Sequence, residues 1–443
     1  MNIQLSDHFT YKKLLQFTLP SIIMMIFTSI YGVVDGLFVS NFVGKIPFAA
    51  VNLILPFVMI LGSIGFMFGT GGSALVAKTL GEGDQKRANQ YFSLLILVSL
   101  ILGILFAIVG IIFLEPIAHL LGAEGEMLHY CVVYGRILLL ALPAFMLQNM
   151  FQSFLVTAEK PNVGLIITVI AGITNIILDA FFITVLDFGI TGAALATGLS
   201  QCVGGIIPLF YFARKNSSLL KFTRTKFMPD VLIKASSNGA SELMTNVSMS
   251  LICMLYNFQL MKIAGENGIA AYGVIMYVQF IFLAIFIGYS IGTAPIIGFN
   301  FGAANHKELK NVLKKSLIII TAFGIILMIV AFIGSNPLSK MFVGYDQELF
   351  ELTARGFKFY AISFLLCGFS IFGSSFFTAL NNGIVSAAIS FLRTVVFQVA
   401  AVLILPIFWG IDGIWSAIGV AELLSLIVTS ILLIKLKNKY HYA

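Results

Sequence analysis

The chain alternates between long apolar stretches and short polar segments. Predominantly apolar runs cover residues 91–114, 163–186 and 311–334, for example. Each of them exceeds the roughly 20 residues that an α-helix needs to cross a bilayer. Only helices and closed barrels satisfy every backbone polar group inside lipid, and runs of this length favour helices over strands. The pattern therefore predicts an all-α polytopic membrane protein.

The spacing of the polar segments predicts twelve transmembrane helices. The first six are expected at about residues 13–40, 48–77, 90–114, 128–157, 162–186 and 190–213. The second six are expected at about residues 232–262, 269–300, 311–334, 352–380, 384–408 and 412–434.

The two sets of six spans are copies of one another. One fixed offset, the separation of Gly71 from Gly292, brings identical residue types into register too often for chance, from about residue 44 to the end. The same offset relates Gly81 to Gly302. Six spans per copy is an even number, so the two copies enter the membrane from the same side and the repeat is parallel. We expect an N-terminal lobe at residues 1–213, a cytoplasmic linker at 214–231 and a C-terminal lobe at 232–443.

Composition and charge agree with this architecture and set its orientation. Hydrophobic residues make up 59% of the chain and charged residues 10%, against about 25% charged in a soluble domain. Of the 26 Lys and Arg residues, 19 fall on the side of the N-terminus and 3 fall in the opposite loops. The positive-inside rule then places both termini in the cytoplasm of a multi-pass cell-membrane protein. Since short loops account for the basic charge, no nucleic-acid partner is expected.

Two acidic residues lie inside predicted spans of the first half. Asp35 is in span one, and Asp179 is in span five, one helical turn after Asn175. The equivalent positions of the second half carry no carboxylate, which argues for a function rather than for shared architecture. Two carboxylates in a low-dielectric pocket cannot both stay ionised cheaply, so we expect the pair to hold and exchange a proton as a unit. The alternative is that each Asp only joins helices through hydrogen bonds.

Other polar and aromatic residues within the spans are candidates for a cavity. Glu242 in span seven, Arg393 in span eleven and Glu422 in span twelve form a C-lobe set whose charges could also simply neutralise one another. Aromatic and Met side chains could bind flat cations through cation–π contacts. The substrate-cavity candidates are Tyr31, Met24, Met59, Met146, Phe151 and Gln201.

Several of these features resemble the MATE (multidrug and toxic compound extrusion) transporters over nearly the whole chain. The loop LGEGDQKRAN after span two and its repeat FGAANHKELK after span eight resemble the paired loop signature of that family. Asp35 together with NIILD, which contains Asn175 and Asp179, is most similar to the prokaryotic DinF-like branch. In that branch the matching residues form a proton or cation site, and Gln152 and Thr197 match further polar partners, although Gln152 replaces the usual Asn.

The resemblance also bears on the C-lobe and on function. Glu242 matches an acidic position of sodium-coupled relatives, but residues 364–379 lack their second acid, and Arg393 resembles a span-eleven Arg of the DinF-like branch. The family implies two lobes around a V-shaped cavity. It also implies rocker-type antiport, in which amphiphilic or cationic small molecules leave in exchange for inward H⁺ or Na⁺. We expect a monomer in the lipid bilayer, with no cofactor besides the coupling ion and no metal site.

Other functions compete with this interpretation. A flippase for lipid-linked precursors, or an exporter of one specific metabolite, would use the same fold. A major-facilitator transporter also has twelve spans, but LGEGDQKRAN fits its loop motif poorly. The sequence has no P-loop, HExxH or Ser/His/Asp set, so we expect no enzyme and no ATP-driven transport.

Overall fold

The computed structural model describes residues 3–344 and 346–442, and these residues are almost entirely helical. Helices α1 to α6 are Tyr11–Phe38, Lys45–Gly81, Gln85–Leu120, Gly125–Thr157, Pro161–Asp179 and Gly189–Ala213. Helices α7 to α12 are Pro229–Gly302, His306–Val343, Gln347–Ala379, Gly383–Phe391, Gln398–Trp409 and Ile411–Tyr440. Short π-helical turns lie at Val39–Val43 after α1, at Ala180–Val185 after α5, and at Leu392–Phe397 between α10 and α11.

Helix α7 is 74 residues long and crosses the membrane twice. Its backbone leaves the helical region at Gly265, where φ is 61°. The rings of Tyr256 and Tyr272 stack with their centroids 4.9 Å apart, whereas 16 residues of straight helix would span about 24 Å. The chain therefore reverses at Gly265. Eleven described segments are long and apolar enough to cross a membrane, and because α7 supplies two spans, the predicted twelve are confirmed.

The paired loops predicted from the sequence repeat also have matching backbones. The side chain of Asp84 caps α3 by accepting a hydrogen bond from the Arg87 N–H at 2.9 Å, and Asn305 caps α8 in the same way. The preceding residues, Gly83 and Ala304, both have positive φ. Asp84 and Asn305 are related by the same offset as Gly71 and Gly292, so the repeat in sequence is a repeat in structure.

Each six-helix half is built around its own fourth helix, α4 in the first half and α9 in the second. Their apolar windows are the most enclosed among the described spans, with 56% and 67% of residues buried. Neighbouring helices pack closely against α4 at glycine residues. Gly65 of α2 lies against the backbone of Met146, and Gly205 of α6 lies against the carbonyl of Ala144. Small residues of this kind let membrane helices approach closely without clashes.

The two lobes meet along α1 and α2 on one side and α7 on the other. A Cβ on Gly71 of α2 would overlap the backbone at Gly239 of α7, and a Cβ on Gly292 of α7 would meet Thr18 of α1. The repeat offset relates Gly71 to Gly292 and Thr18 to Gly239, so the two contacts occupy equivalent positions of the repeat. The interface therefore follows the internal symmetry of the chain.

Both termini lie at the same end of the helical bundle, which we name the termini side, and the N-terminal segment at residues 3–10 bridges the lobes there. Leu5 and Phe9 are fully buried in the C-lobe core. The Phe9 N–H donates to Glu308 at 2.8 Å, and the Leu5 N–H donates to Glu159, between α4 and α5, at 2.6 Å. One short segment thus binds a carboxylate from each lobe.

The chain between α6 and α7 is non-helical and lies against the N-lobe. The Lys221 N–H donates to the side chain of Asn89 at 3.0 Å, and the Thr223 N–H donates to Ser93 at 2.9 Å. These contacts fix the linker along the start of α3 on the termini side.

Candidate functional site

The N-lobe brings four of the five predicted coupling residues to neighbouring helices. Asp179 is the last residue of α5 and is fully buried, and Asn175 lies one turn earlier with 1% of its surface exposed. The carboxyl groups of Asp35 and Asp179 are neighbours in the N-lobe. Thr197 of α6 donates to Asp35 at 3.4 Å, which is a long hydrogen bond. Helices α1, α5 and α6 therefore converge on the acidic pair.

The burial of Asp179 leaves its carboxyl group without local hydrogen-bond donors. Neither of its carboxyl oxygens receives a hydrogen bond from any residue in the described part of the chain. An ionised carboxylate without donors is costly to bury, whereas a protonated one can donate to a neighbouring carboxylate. With Asp35 as the neighbouring carboxyl group, one shared proton would satisfy both groups. A role of the pair in proton coupling stays a prediction.

A fully buried tyrosine completes this cluster and was not identified from the sequence. The hydroxyl of Tyr134, on α4, lies in the same region of the N-lobe as Thr197 and the two carboxyl groups, and it makes no hydrogen bond to any described residue. Its O–H group is therefore an unused donor in this region. A tyrosine in an otherwise apolar span was the available signal, but one span gives no indication of which face points to the acids.

All three π-helical turns lie beside charged residues of the candidate sites. One begins four residues after Asp35, one begins immediately after Asp179, and the third contains Arg393. Such turns interrupt the regular hydrogen-bond ladder and are often found at functional sites. Here they change the direction of the side chains around each charge.

A central cavity of about 290 Å³ lies between the lobes, lined mainly by α7, α9 and the α10–α11 segment. The N-lobe contributes α2 residues such as Phe66 and Thr70, and the α4 residues Asn149 and Gln152. The structure thus places Gln152 on the cavity wall rather than among the described neighbours of the acidic pair. Its predicted role in coupling stays a prediction.

The three charged C-lobe residues form one ion pair and one separate carboxylate. The Nε of Arg393 donates to both carboxylate oxygens of Glu422 at 2.9 and 3.0 Å, and Nη2 lies 2.7 Å from Oε1. Glu422 is 1% exposed, whereas Arg393 and Glu242 both line the cavity. In the described residues, no basic group lies within 4.0 Å of the Glu242 carboxylate.

The six residues predicted as substrate contacts do not belong to the described lining of this cavity. Met24, Met146 and Phe151 are buried inside the N-lobe, Met59 is exposed on α2, and Tyr31 packs near Phe27 and Gly172. Gln201 is partly exposed on α6. In a helix that is apolar all round, periodicity does not distinguish a cavity face from a core face, and these contacts stay predictions.

Over residues 3–344 and 346–442, no group of three or more His, Cys, Asp or Glu side chains is arranged to hold a metal ion. The acidic pair offers two carboxyl groups with Asn175 and Thr197 beside them. Such a set can hold a proton, and its oxygen atoms are also ligands of the kind that hard cations prefer.

Sequence similarity relates this chain to a known protein family. A sequence model of the MatE family matches the chain twice, over residues 20–181 and 243–404, which together make up more than half of it. The chain belongs to the MatE family. The two separate matches, one in each lobe, agree with the internal repeat.

Curated relatives are similar over nearly their whole length. The multidrug export protein MepA of Staphylococcus haemolyticus is 28% identical over 434 residues, which are 97% of this chain and 94% of that protein. MepA of Staphylococcus saprophyticus is 26% identical over 412 residues, with coverage of 93% and 89%.

Solved MATE structures share the fold. A structure described as the outward-facing conformation of a multidrug resistance MATE family transporter has a TM-score of 0.93 at 23% identity, with coverage of 100% and 99%. A MOP superfamily transporter from Pyrococcus furiosus has a TM-score of 0.91 at 22% identity, with coverage of 98% and 97%.

Family membership confirms the resemblance noted from the sequence and the two-lobed architecture of twelve helices. The family consists of transporters, so the prediction that the chain is not an enzyme is also confirmed. Assignment to the DinF-like branch stays a prediction.

Proposed function

We propose that this protein is a secondary multidrug exporter that removes amphiphilic, often cationic compounds from the cytoplasm in exchange for inward protons. Support comes from the family and from relatives named as multidrug export proteins. A cavity lined by aromatic, Met and hydroxyl side chains is the type of site that holds amphiphilic small molecules.

The observation that carries the choice of protons is the environment of Asp179. This carboxyl group is fully buried, lacks a donor in the described residues and lies beside Asp35. A proton satisfies such a pair with one bond, whereas Na⁺ is usually bound by several oxygen ligands and would need more than the pair offers. The side-chain amide of Asn175, one turn before Asp179, has no partner among the described residues, and an amide can hydrogen-bond to a carboxyl group in either protonation state.

The cycle follows from the two protonation states and the two lobes. In the proposed orientation the termini side is cytoplasmic, and in this conformation glycine-mediated contacts between α2 and α7 close that side. Protonation of the pair from outside favours a tighter N-lobe and release of the drug. Loss of the proton to the cytoplasm, after the lobes rock, restores the drug-binding form. At one proton per monovalent cation, one pH unit gives about 1.4 kcal/mol, or roughly tenfold in drug ratio.

We also propose that the protein works as a monomer in the cell membrane. The internal repeat supplies both halves of the transport path, so no second copy is needed to enclose the cavity.

A flippase for lipid-linked precursors, or an exporter of one specific metabolite, is the competing proposal on the same fold. A pyrophosphate headgroup needs a cationic cavity. The charge of Arg393 is neutralised by Glu422, which leaves the carboxyl group of Glu242 without a paired cation on the described wall. This charge balance favours cationic cargo.

The test is uptake of a fluorescent cationic dye by inside-out vesicles with either an acidic lumen or a Na⁺-loaded lumen. Wild type should accumulate dye with the pH gradient alone, and Asp179→Asn should not. Asp187→Asn is the matched control, because Asp187 is exposed at positive φ, a conformation that Asn tolerates. Transport by the Na⁺ gradient alone would contradict proton coupling. Absence of dye uptake under both gradients would contradict drug export.

A further inference from the structure

The charges on the cavity wall are all on the C-lobe side. Glu242 and Arg393 are the two formally charged side chains among its described lining residues. Asp35 and Asp179 are not among those residues. The groups that can contact cargo and the groups proposed to carry the proton are therefore separate sets, in opposite lobes.

Arg393 lines the cavity and retains hydrogen-bond donors that have no acceptor among the described residues. A guanidinium has five N–H groups, and Glu422 engages one on Nε and one on Nη2. No described residue accepts a hydrogen bond from the other three. Because the bidentate pair fixes the plane of the guanidinium, these donors are held in place before any ligand arrives.

Glu242 is a free acceptor on the same wall. Its backbone carbonyl accepts a hydrogen bond from Asn246 at 2.8 Å, but its carboxylate oxygens receive none from the described residues. The side chain is partly exposed to the cavity. Arg393 lines the same cavity but lies too far from Glu242 to form an ion pair within 4.0 Å. The carboxylate of Glu242 and the free N–H groups of Arg393 are therefore separated by more than an ion-pair distance.

We infer that Glu242 and Arg393 form a two-point substrate subsite in the C-lobe, which refines the proposed function and rests on it. Glu242 binds the cationic nitrogen of the cargo. The free N–H groups of Arg393 donate to an oxygen acceptor, such as an ester or amide carbonyl, on the same molecule. The preferred ligand is a flat monocation that carries a neutral acceptor.

The rest of the wall fits a ligand of this shape. Phe280 presents aromatic surface, the stacked rings of Tyr256 and Tyr272 lie behind the wall, and Met249 and Met276 present flexible thioethers that adapt to different outlines. The apolar frame binds the body of the cargo with little selectivity. The two charged residues then select for its polar groups.

The charge balance also ranks related ligands. The pair of Arg393 and Glu422 is neutral, so the wall as a whole carries the single negative charge of Glu242. A carboxylate on the ligand gains the Arg393 hydrogen bonds but is repelled by Glu242 and Glu422. The expected order of affinity is a cation with a neutral acceptor, then a cation without one, then a zwitterion.

Three dyes with one chromophore test this order on the full-length protein in detergent, by fluorescence polarisation. Tetramethylrosamine is a cation without an ester, tetramethylrhodamine methyl ester adds the ester alone, and tetramethylrhodamine carries a free carboxylate. Wild type should bind the methyl ester about fivefold more tightly than tetramethylrosamine, the value of one good hydrogen bond. Glu242→Gln should weaken binding of both cations by about tenfold.

Two further variants separate the subsite from general effects. Arg393→Lys keeps the charge opposite Glu422 but loses the planar donor set, so it should remove the preference for the ester. Glu351→Gln removes one negative charge from the exposed start of α9 and should leave all affinities within about twofold.

The outcomes distinguish the subsite from the proposed function. The subsite is overturned, and multidrug export is left standing, if wild type binds the cationic dyes and the Glu242→Gln and Glu351→Gln variants have the same dye affinities. Wild type that binds no dye would overturn both. If Glu242→Gln does not fold, judged by gel filtration, the ester preference of Arg393→Lys decides, and its persistence would overturn the inference.

Discussion

Gly81 and Gly302, which are equivalent positions of the internal repeat, each lie against the backbone of the opposite lobe on the termini side. A Cβ on Gly81 would overlap the carbonyl oxygen of Phe299, and a Cβ on Gly302 would overlap that of Lys78. The two contacts are symmetry equivalents, since Lys78 and Phe299 are related by the same offset as the two glycines. Helices α2 and α7 therefore close this side through a crossing that tolerates only glycine.

Enlarging either glycine should prevent closure of the termini side. Gly81→Val would force the two backbones apart at a cost of about 1–3 kcal/mol, which disfavours this conformation against its open counterpart. We expect Cys253, on the cavity wall, to react faster with a maleimide added from the termini side, in a Cys202→Ser background. Gly419→Val is the control, because no atom lies within 4 Å of a Cβ there. Unchanged labelling of Cys253 would contradict the role of the crossing.

The N-terminal segment should also stabilise the closed side. Glu308 accepts hydrogen bonds from the Phe9 N–H at 2.8 Å and from Asn311 at 2.8 Å, and it pairs with His8 at 2.7 Å. Glu308→Ala leaves the buried Phe9 N–H without a carboxylate, at a cost of about 1–3 kcal/mol. Trypsin should then cleave at Lys12 and Lys13 several times faster, as followed by mass spectrometry. Equal cleavage rates in Glu308→Ala and in Glu351→Ala would show that the segment is held by its apolar contacts alone.

Breaking the C-lobe ion pair should be more harmful than replacing it. Glu422→Gln leaves the charge of Arg393 uncompensated at a site where the side chain is 13% exposed, which should cost about 3–5 kcal/mol. The double variant Arg393→Met with Glu422→Leu removes both charges and should recover most of the stability. Thermal unfolding in detergent measures this directly. A double variant no more stable than Glu422→Gln would mean that the pair itself stabilises the lobe.

The sequence predicted the architecture because its signals extend over many residues. Apolar runs of spanning length and a repeat in one register require no knowledge of which side chains touch. The sequence also indicated that Asp35 and Asp179 are neighbours, since a carboxylate inside a span needs a partner and only these two lay inside the predicted spans of that half. The predicted neutralisation in the C-lobe was partly right, because Arg393 pairs with Glu422 and leaves Glu242 apart.

Contacts within apolar helices were not predictable in the same way. Met146 and Phe151 lie on the core side of α4, whereas Asn149 and Gln152 on the same helix reach the cavity. The polar residues of α4 lie next to Met146 and Phe151 in sequence, and core and cavity faces can carry the same apolar residues, so the pattern alone does not distinguish the two faces. Only the packing of α4 against α2 and α6 fixes its rotation.

Tyr134 should tune the pH range over which the acidic pair works. Its hydroxyl lies in the same region as the two carboxyl groups and has no partner among the described residues, so we expect it to donate to the ionised form that follows proton release. Tyr134→Phe keeps the ring and its packing but removes that donor, which makes the ionised form less stable. Release of the proton then needs a higher pH on the cytoplasmic side, and the half-maximal pH of dye transport should rise by about one unit, with dye affinity unchanged. Tyr289→Phe is the matched control, since Tyr289 is equally buried but bonds to Ser316 in the C-lobe. If the pH profile shifts equally in both variants, or in neither, Tyr134 has no specific role at the coupling site.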